Sequence, residues 1–181
     1  MRRLLVVLLA LAAVLVAAPA GARAQVEDRA VPASRAASTA LLGRLSIPAI
    51  GVNAGIVAVG VTRTGHLAIG HSVRDVYRWR SGVQPGQQGS AVLAGHTWSK
   101  GPGVFDDLGR LRPGNVVVVG ANRFTVTRVR KVTGMSRQAV ADLFSDRGKP
   151  RLVLITCGDR NNLTGVYRTR IIVNAKLVRR R

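Results

Sequence analysis

Short apolar stretches rich in β-branched residues recur along most of the chain, separated by Gly, Pro and Asn. This spacing is typical of short β-strands between turns. The predicted strands lie at 44–52, 54–61, 89–97, 151–157 and 167–178, and the stretch 115–133 is predicted to be a hairpin that turns at about 120–123.

Helical patterns are few. Ser136 is a suitable N-cap for one predicted helix, which runs through RQAVADLF to about Phe144. A short helical turn is predicted within 104–111. Many short strands with so few helices predict a mainly β domain, either a sandwich or a closed barrel. We favour the closed barrel because closure leaves no exposed strand edges.

The first 24 residues have the anatomy of a secretory signal. Arg2 and Arg3 precede an uninterrupted apolar run, Leu4–Ala18, and a small-x-small cleavage pattern follows at 22–24. The run has 15 residues, fewer than the ~20 that a membrane-spanning helix needs. We therefore predict a signal peptide, with an uncleaved N-terminal membrane anchor as the alternative. Either one predicts an extracytoplasmic protein, anchored at the outer face of the membrane or secreted into the cell envelope.

The rest of the chain divides into a spacer and one domain. Residues 25–42 are rich in Ala, Ser and Arg and lack sustained apolar periodicity, which predicts a flexible spacer. The stretch 43–181 has an ordinary length for a single domain with a buried core, and it contains no internal repeat.

The chain is strongly basic. Its net charge is +20, and removing residues 1–24 takes away three arginines and no acidic residue, which leaves +17. Such a charge attracts anionic polymers, membranes or nucleic acid. The arginines are scattered, aromatic residues are few and no nucleic-acid recognition motif is present, so nucleic acid is not an expected partner. An anionic envelope surface is the expected partner, and an arginine-rich composition with solvated side chains is the alternative interpretation.

Cys157 is the only cysteine and ends the apolar stretch RLVLITC. Exported proteins usually pair cysteines as disulfides, so a lone cysteine is an inert buried residue, an intermolecular bridge or a nucleophile. Two features favour the nucleophile. The residue ends its strand, where side chains reach an exposed rim, and Gly158 beside it permits close approach of a ligand.

A thiolate enzyme needs a general base and a positive charge for the oxyanion. His96 closes the stretch SAVLAGHT, whereas the other two histidines lie in the polar stretch TGHLAIGHS. Arg168 and Arg170 are two residues apart on the strand after Cys157, so their side chains share one face. No carboxylate is clearly suited to orient the histidine. The residues therefore predict an arginine-assisted Cys–His dyad.

These residues lie in stretches that resemble the sortases, the cysteine transpeptidases of Gram-positive surfaces. The similarity extends over about 45–178. It is carried by LAGHT (93–97), GVFDDLGRLRPGN (103–115), LITCG (154–158) and GVYRTRIIVNAKLV (165–178). The upstream PGQQGSAVLAGH, together with LITCG followed by GVYR, most resembles the class F sortases of actinobacteria.

The resemblance implies an eight-stranded sortase β-barrel with its site at one rim. It implies that Cys157 attacks the Thr–Gly bond of an LPXTG-like sorting signal, and that an amine of a peptidoglycan precursor resolves the thioester. His96 would protonate the leaving amine and later deprotonate the incoming one, while an arginine would hold the oxyanion. Thr97 and Thr156 would line the substrate groove.

The chain departs from the family pattern in several places. Spacing from VNAKLV indicates that Arg170 is the catalytic arginine, whereas the YR step of class F indicates Arg168. The short segment GDRNNLTG (158–165) replaces a long specificity loop and leaves the substrate open. The acidic calcium-binding cluster of some class A members has no counterpart, so neither a metal nor a cofactor is expected.

Two other functions are compatible with the same residues. One is a thiol peptidase, which would hydrolyse the sorting signal instead of transferring it. The other is a non-catalytic, basic envelope-binding module that uses the barrel as a scaffold, because a fold does not determine a function.

Overall fold

The computed structural model describes residues 41–160 and 164–178, and their strands close into a barrel. Around the barrel the order is β1-β2-β3-β4-β7-β8-β6-β5. The mainly β, eight-stranded barrel predicted from the sequence is therefore confirmed. The strands are β1 (Leu41–Ile47), β2 (Val52–Val59), β3 (Val76–Trp79), β4 (Ser90–Gly95), β5 (Val116–Val119), β6 (Asn122–Val132), β7 (Arg151–Arg160) and β8 (Tyr167–Leu177).

Two layers of apolar side chains stabilise the barrel. The interior is filled by alternate residues of the strands, among them Leu93, Phe124 and Leu154, none of which is exposed to solvent. A second, smaller cluster covers the outer face of β4, β7 and β8; it contains Val92, Val153, Ile172 and Leu143. Leu143 belongs to the helix α1 (Arg137–Leu143), which therefore packs over that outer face.

The local predictions differ from the structure mainly at element ends. Ser136 caps α1 as predicted, since its hydroxyl accepts from the Ala139 amide at 3.1 Å. The helical turn predicted within 104–111 is a 3₁₀ turn at Leu108–Arg110. β1 ends at Ile47 rather than continuing to position 52, because Pro48 begins another 3₁₀ turn.

One strand is absent from the sequence-based prediction. β3 has only four residues, VYRW, and its arginine, Arg78, is 2% exposed. A run this short with a charged residue inside it does not resemble an apolar strand. β3 pairs in parallel with β2 and antiparallel with β4, so it is needed to close the barrel.

The N-terminal predictions concern a different part of the chain. The signal peptide or anchor (1–24) and residues 25–40 of the predicted spacer lie outside the described residues. β1 begins at Leu41, two residues before the predicted start of the domain. In the ranges 41–160 and 164–178, no helix has the length and apolar character needed to cross a membrane.

Gly95, the last residue of β4, occupies a position where a side chain does not fit. A Cβ there would lie 2.6 Å from Phe105 Cδ2 and 2.7 Å from Val104 Cγ1. We expect Gly95→Ala to lower the free energy of unfolding by about 1–3 kcal/mol, because the added methyl overpacks the core. Urea denaturation measures this change.

Gly60→Ala is the matched control, because a Cβ at Gly60 would meet nothing within 4 Å. This variant should stay within about 0.5 kcal/mol of the wild type. Equal denaturation midpoints for the two variants would contradict the packing argument.

Candidate active site

Cys157 lies on the outer face of β7. Leu152 and Leu154 belong to the barrel core, whereas Val153 belongs to the outer cluster and Ile155 packs against it. Because side chains alternate along a strand, Cys157 is directed to the same outer face as Val153. The residue is half-buried and its thiol is free. These are the exposure and the bonding state that a nucleophile requires.

His96 directly follows β4, which runs parallel to β7. The last matched pair of the two strands is Ala94 with Ile155, so His96 and Cys157 each lie two positions beyond it. Val92 is in the outer cluster, and alternation directs His96 to that face as well. The structure therefore brings the predicted base and the predicted nucleophile to neighbouring positions.

Both candidate arginines lie on β8, the other neighbour of β7. Arg170 is paired directly with Cys157 across the antiparallel ladder, and Arg168 is two residues further along the strand. Ile172 of the outer cluster lies two residues from Arg170 and four from Arg168. Because side chains alternate along a strand, both arginines are directed to the face that carries Cys157. Within the described ranges neither guanidinium forms an ion pair with a carboxylate. Arg170 donates one hydrogen bond to the Thr169 carbonyl, at 2.9 Å, and its remaining N–H groups and those of Arg168 can bind an anion.

The two predicted groove threonines connect the end of β4 to β7. Thr156 Oγ1 donates to the Gly95 carbonyl at 2.8 Å, and Thr97 Oγ1 donates to the Cys157 carbonyl at 2.9 Å. The two hydroxyl oxygens are 2.7 Å apart. Tyr167 Oη donates to the Thr97 carbonyl at 3.1 Å, which adds β8 to the connection.

The hydroxyl protons of these threonines are therefore used within the protein. Two protons serve three short contacts, so they are shared among the Gly95 carbonyl, the Cys157 carbonyl and the other hydroxyl. Thr156 is only 3% exposed. The substrate-binding roles predicted for Thr97 and Thr156 stay predictions, because the bonds they form here are to the protein itself.

A backbone carbonyl and an aromatic ring contact the imidazole of His96. Its Nε2 is 2.7 Å from the carbonyl oxygen of Gly70, in the connection between β2 and β3. The ring of Tyr77 on β3 packs edge-to-face against it, with the ring centroids 6.0 Å apart. The other two histidines are both exposed, and His66 Nδ1 contacts Thr64 Oγ1 at 3.0 Å.

Asp106 holds the loop that follows His96 and was not identified from the sequence. One of its carboxylate oxygens accepts from the Trp98 amide and the other from the Gly103 amide, both at 2.8 Å. The amide of Phe105 in turn donates to the His96 carbonyl at 3.0 Å. The only sequence signal is the acidic pair in GVFDDLG, which does not reveal its partners.

The structure gives Gly158 a different role from the one predicted from the sequence. A Cβ on Gly158 would lie 2.7 Å from Thr169 Oγ1 of β8, so the glycine makes room for the neighbouring strand and not for a ligand. Asp159 has a positive φ of 49°, which Asp tolerates better than most residues. Its carboxylate pairs with Lys131 and accepts from Thr169 at 3.2 Å.

The hydrogen bond from Lys131 lowers the pKa of the Asp159 carboxyl, and the bond from Thr169 adds to this effect. Asp159 therefore stays ionised and paired with Lys131 at neutral pH. In the part of the chain that the structure describes, no group of three or more His, Cys, Asp or Glu is suited to hold a metal ion.

Two clefts adjoin the helix α1, and one of them is lined by both candidate arginines. One has a volume of about 310 Å³ and is lined by Gly134, Met135, Val140, Tyr167, Arg168 and Arg170. The other, of about 250 Å³, is mainly apolar and is lined by Val61, Gly65, Leu67, Trp79, Val140 and Phe144. Val140 of α1 lines both, so the two clefts adjoin along the helix.

A free cysteine, a histidine and an arginine on one outer face of a closed β-barrel define a candidate thiol-dependent acyl-transfer enzyme. Comparison with known families matches the Sortase domain over residues 45–178. The chain belongs to the sortase family of cysteine transpeptidases, and it is an enzyme. Comparison with curated protein sequences found no match.

Solved sortases share the fold. Sortase A of Listeria monocytogenes is 18% identical with a TM-score of 0.61, and the match covers 77% of this chain and 88% of that one. Sortase C-1 of Actinomyces oris is 24% identical with a TM-score of 0.59, and the match covers 77% of this chain and 75% of that one. Sortase A of Corynebacterium diphtheriae is 21% identical with a TM-score of 0.59, and the match covers 81% of this chain and 64% of that one. The family predicted from the sequence is confirmed.

We expect Asp106→Asn to weaken the loop after His96. The amide group of asparagine presents a donor where one of the two backbone amides needs an acceptor. The expected loss of unfolding free energy is about 1.5–3 kcal/mol, the range for hydrogen bonds to charged groups. Hydrogen exchange of the Trp98 and Gly103 amides should become faster.

Asp107→Asn is the matched control, because among the residues that the structure describes the Asp107 carboxylate bonds only to the exposed side chain of Arg110, at 3.4 Å. In the Asp107→Asn variant, the Trp98 and Gly103 amides should exchange at the wild-type rate. Wild-type exchange in Asp106→Asn as well would show that the carboxylate does not hold the loop.

Proposed function

We propose that this sortase cleaves an LPXTG-like sorting signal between Thr and Gly and transfers the surface protein to an amine of a peptidoglycan precursor. The observation that carries the proposal is the shared outer face of three adjacent strands. On this face Cys157 has His96 as a neighbour on one side and Arg170 on the other. These are the nucleophile, proton carrier and cation that acyl transfer from an amide needs.

In the first half of the reaction, the thiolate of Cys157 attacks the threonine carbonyl carbon and forms the C–S bond. The negative charge that develops on the carbonyl oxygen is stabilised by the guanidinium of Arg170. His96 gives a proton to the glycine nitrogen as the C–N bond breaks. The products are a thioester on Cys157 and a free amine that leaves.

In the second half, an amine of the acceptor attacks the thioester carbonyl. His96 takes the proton of that amine, and the C–S bond breaks to regenerate the thiolate. Water at the same position would give hydrolysis, so the partition between amine and water decides between transpeptidase and peptidase. The substrate would lie along the outer face, beside the clefts of about 310 and 250 Å³, with Thr97 and Thr156 beneath it.

We also propose an extracytoplasmic location, with residues 1–24 acting as a signal peptide or membrane anchor and residues 25–40 as a spacer before the domain, which begins with β1 at Leu41. The sequence pattern of the first 24 residues supports this arrangement. The charge of +17 beyond residue 24 supports an anionic envelope surface as the neighbour of the domain. Assignment to class F is a further proposal, supported by the PGQQGSAVLAGH and GVYR stretches.

The proposed transfer is tested by incubating the purified protein with an LPXTG peptide, alone and with an excess of amine acceptors of several kinds. We expect mass spectrometry to detect an acyl adduct on Cys157 and a peptide–amine product. Cys157→Ala should give neither, and His96→Ala should lower the rate by about 10²–10⁴-fold.

Hydrolysis alone, whatever amine is present, would favour the peptidase. If no peptide in a panel of sorting signals were cleaved, and high salt released the protein from isolated wall polymers, the basic binding module would be favoured. An unchanged rate in His96→Ala would remove the histidine from the mechanism.

We expect the two arginines to differ in importance. Arg170 is paired with Cys157, whereas Arg168 is two residues away, about 7 Å along the strand. Arg170→Ala should therefore lower kcat/KM by about 10²–10³-fold, the range for losing an oxyanion donor. Arg168→Ala should have a much smaller effect.

Arg123→Ala, which removes an exposed charge on β6 outside this face, is the control for net charge and should behave as the wild type. A larger loss in Arg168→Ala than in Arg170→Ala would reverse the assignment of the two arginines.

A further inference from the structure

The contact between His96 and Gly70 restricts where the histidine carries its proton. The oxygen of a backbone carbonyl only accepts hydrogen bonds, so a contact of 2.7 Å with Nε2 requires a proton on Nε2. In the neutral ring the other nitrogen, Nδ1, is then the base.

We propose that Gly70 and Tyr77 are positioning residues that hold His96 as the Nε2–H tautomer and leave Nδ1 to exchange protons with the thiol and the two amines. The inference rests on the proposed function for its kinetic consequence, since it takes His96 to be the proton carrier. Its structural content, the protonated nitrogen and the groups that select it, can be measured without any substrate.

Tyr77 links the ring to the loop that supplies the carbonyl. Its ring packs edge-to-face on the imidazole, and its hydroxyl donates to the Ser72 carbonyl at 2.8 Å, two residues after Gly70. The side chain is 3% exposed. Burial raises the pKa of the Tyr77 hydroxyl and the charge of Asp75 raises it further, so the hydroxyl stays a donor at neutral pH.

Gly70 allows the loop to approach this closely. A Cβ on Gly70 would lie 2.9 Å from Tyr77 Cε1, closer than real Cβ contacts, and 3.0 Å from Tyr77 Oη, which is tighter than most. Any side chain at position 70 would push the loop or the tyrosine ring away. Either movement would separate the carbonyl from His96 Nε2.

The arrangement suits both protonation states of the histidine. The neutral Nε2–H tautomer and the imidazolium each donate from Nε2, so the bond to Gly70 persists while the proton at Nδ1 comes and goes. The ring therefore does not need to rotate between the two half-reactions. A fixed ring avoids a misplacement of the proton carrier, which costs about 10²-fold in rate per ångström in unfavourable cases.

The first measurement is a long-range ¹H–¹⁵N correlation spectrum of the protein labelled with ¹⁵N-histidine. It is recorded at a pH at which the imidazole rings are neutral. The chain has three histidines, and the signals missing in His96→Gln identify His96. We expect its protonated nitrogen to be Nε2. A protonated Nδ1 in the wild-type protein would overturn the proposal.

The second measurement uses two variants that keep the catalytic groups. Gly70→Ala displaces the carbonyl, and Tyr77→Phe keeps the ring but removes the bond to Ser72. In both we expect a mixture of tautomers and a fall in kcat/KM of about tenfold or more. Gly60→Ala is the matched control in the same β2–β3 connection, where a Cβ would meet nothing within 4 Å. Its tautomer and rate should match the wild type.

The outcomes separate this inference from the proposed function. If Gly70→Ala and Tyr77→Phe kept both the Nε2–H tautomer and the wild-type rate, the positioning role would be wrong while the transfer reaction stood. If no sorting peptide acylated Cys157 of the wild-type protein but the variants still changed the tautomer, the proposed reaction would be wrong and the positioning role would stand.

Discussion

The site depends on the register in which β7 pairs with β4 on one side and with β8 on the other. That register sets Cys157 against Arg170 and, two positions beyond the last matched pair of β4, beside His96. Side chains on a strand alternate, so a slip of one residue would turn Cys157 into the barrel and Thr156 outwards. Such a slip is opposed because Arg151, which lies on the same face as Val153, would turn its charge towards the apolar interior.

Side-chain hydrogen bonds continue this alignment past the end of β4, where the ladder with β7 stops. The hydroxyls of Thr97 and Thr156 join the two strands immediately behind the cysteine, and Tyr167 connects β8 to the same segment. The Asp106 carboxylate does the same for the loop after His96. Hydrogen bonds have defined directions, so these groups fix the segments beyond the strand ladder, which the apolar core alone would leave free to move.

The sequence reveals those parts of the site that depend on local pattern. The apolar run before His96 predicted its position next to the end of β4, and the strand pattern predicted the barrel. Cys157 was predicted to end its strand, but β7 continues to Arg160 because the residues after the cysteine still pair with β8. β3 was not predictable, because four residues with a buried Arg78 give no periodic signal. The choice between Arg168 and Arg170 depends on pairing across β7 and β8, since both side chains share one face.

The same distinction between local and long-range information applies to the orientation of the histidine. The sequence offered no clear carboxylate partner for His96, and two carboxylates of this region are engaged elsewhere: Asp106 with backbone amides and Asp159 with Lys131. The group that meets the ring is a carbonyl 26 residues away in the chain. A carbonyl has no proton to gain or lose, so its bond to Nε2 does not change with pH, and the chemistry is confined to Nδ1. In a chain with 28 basic and only 8 acidic side chains, a backbone acceptor supplies this orientation without placing a carboxylate next to the arginine on which the oxyanion depends.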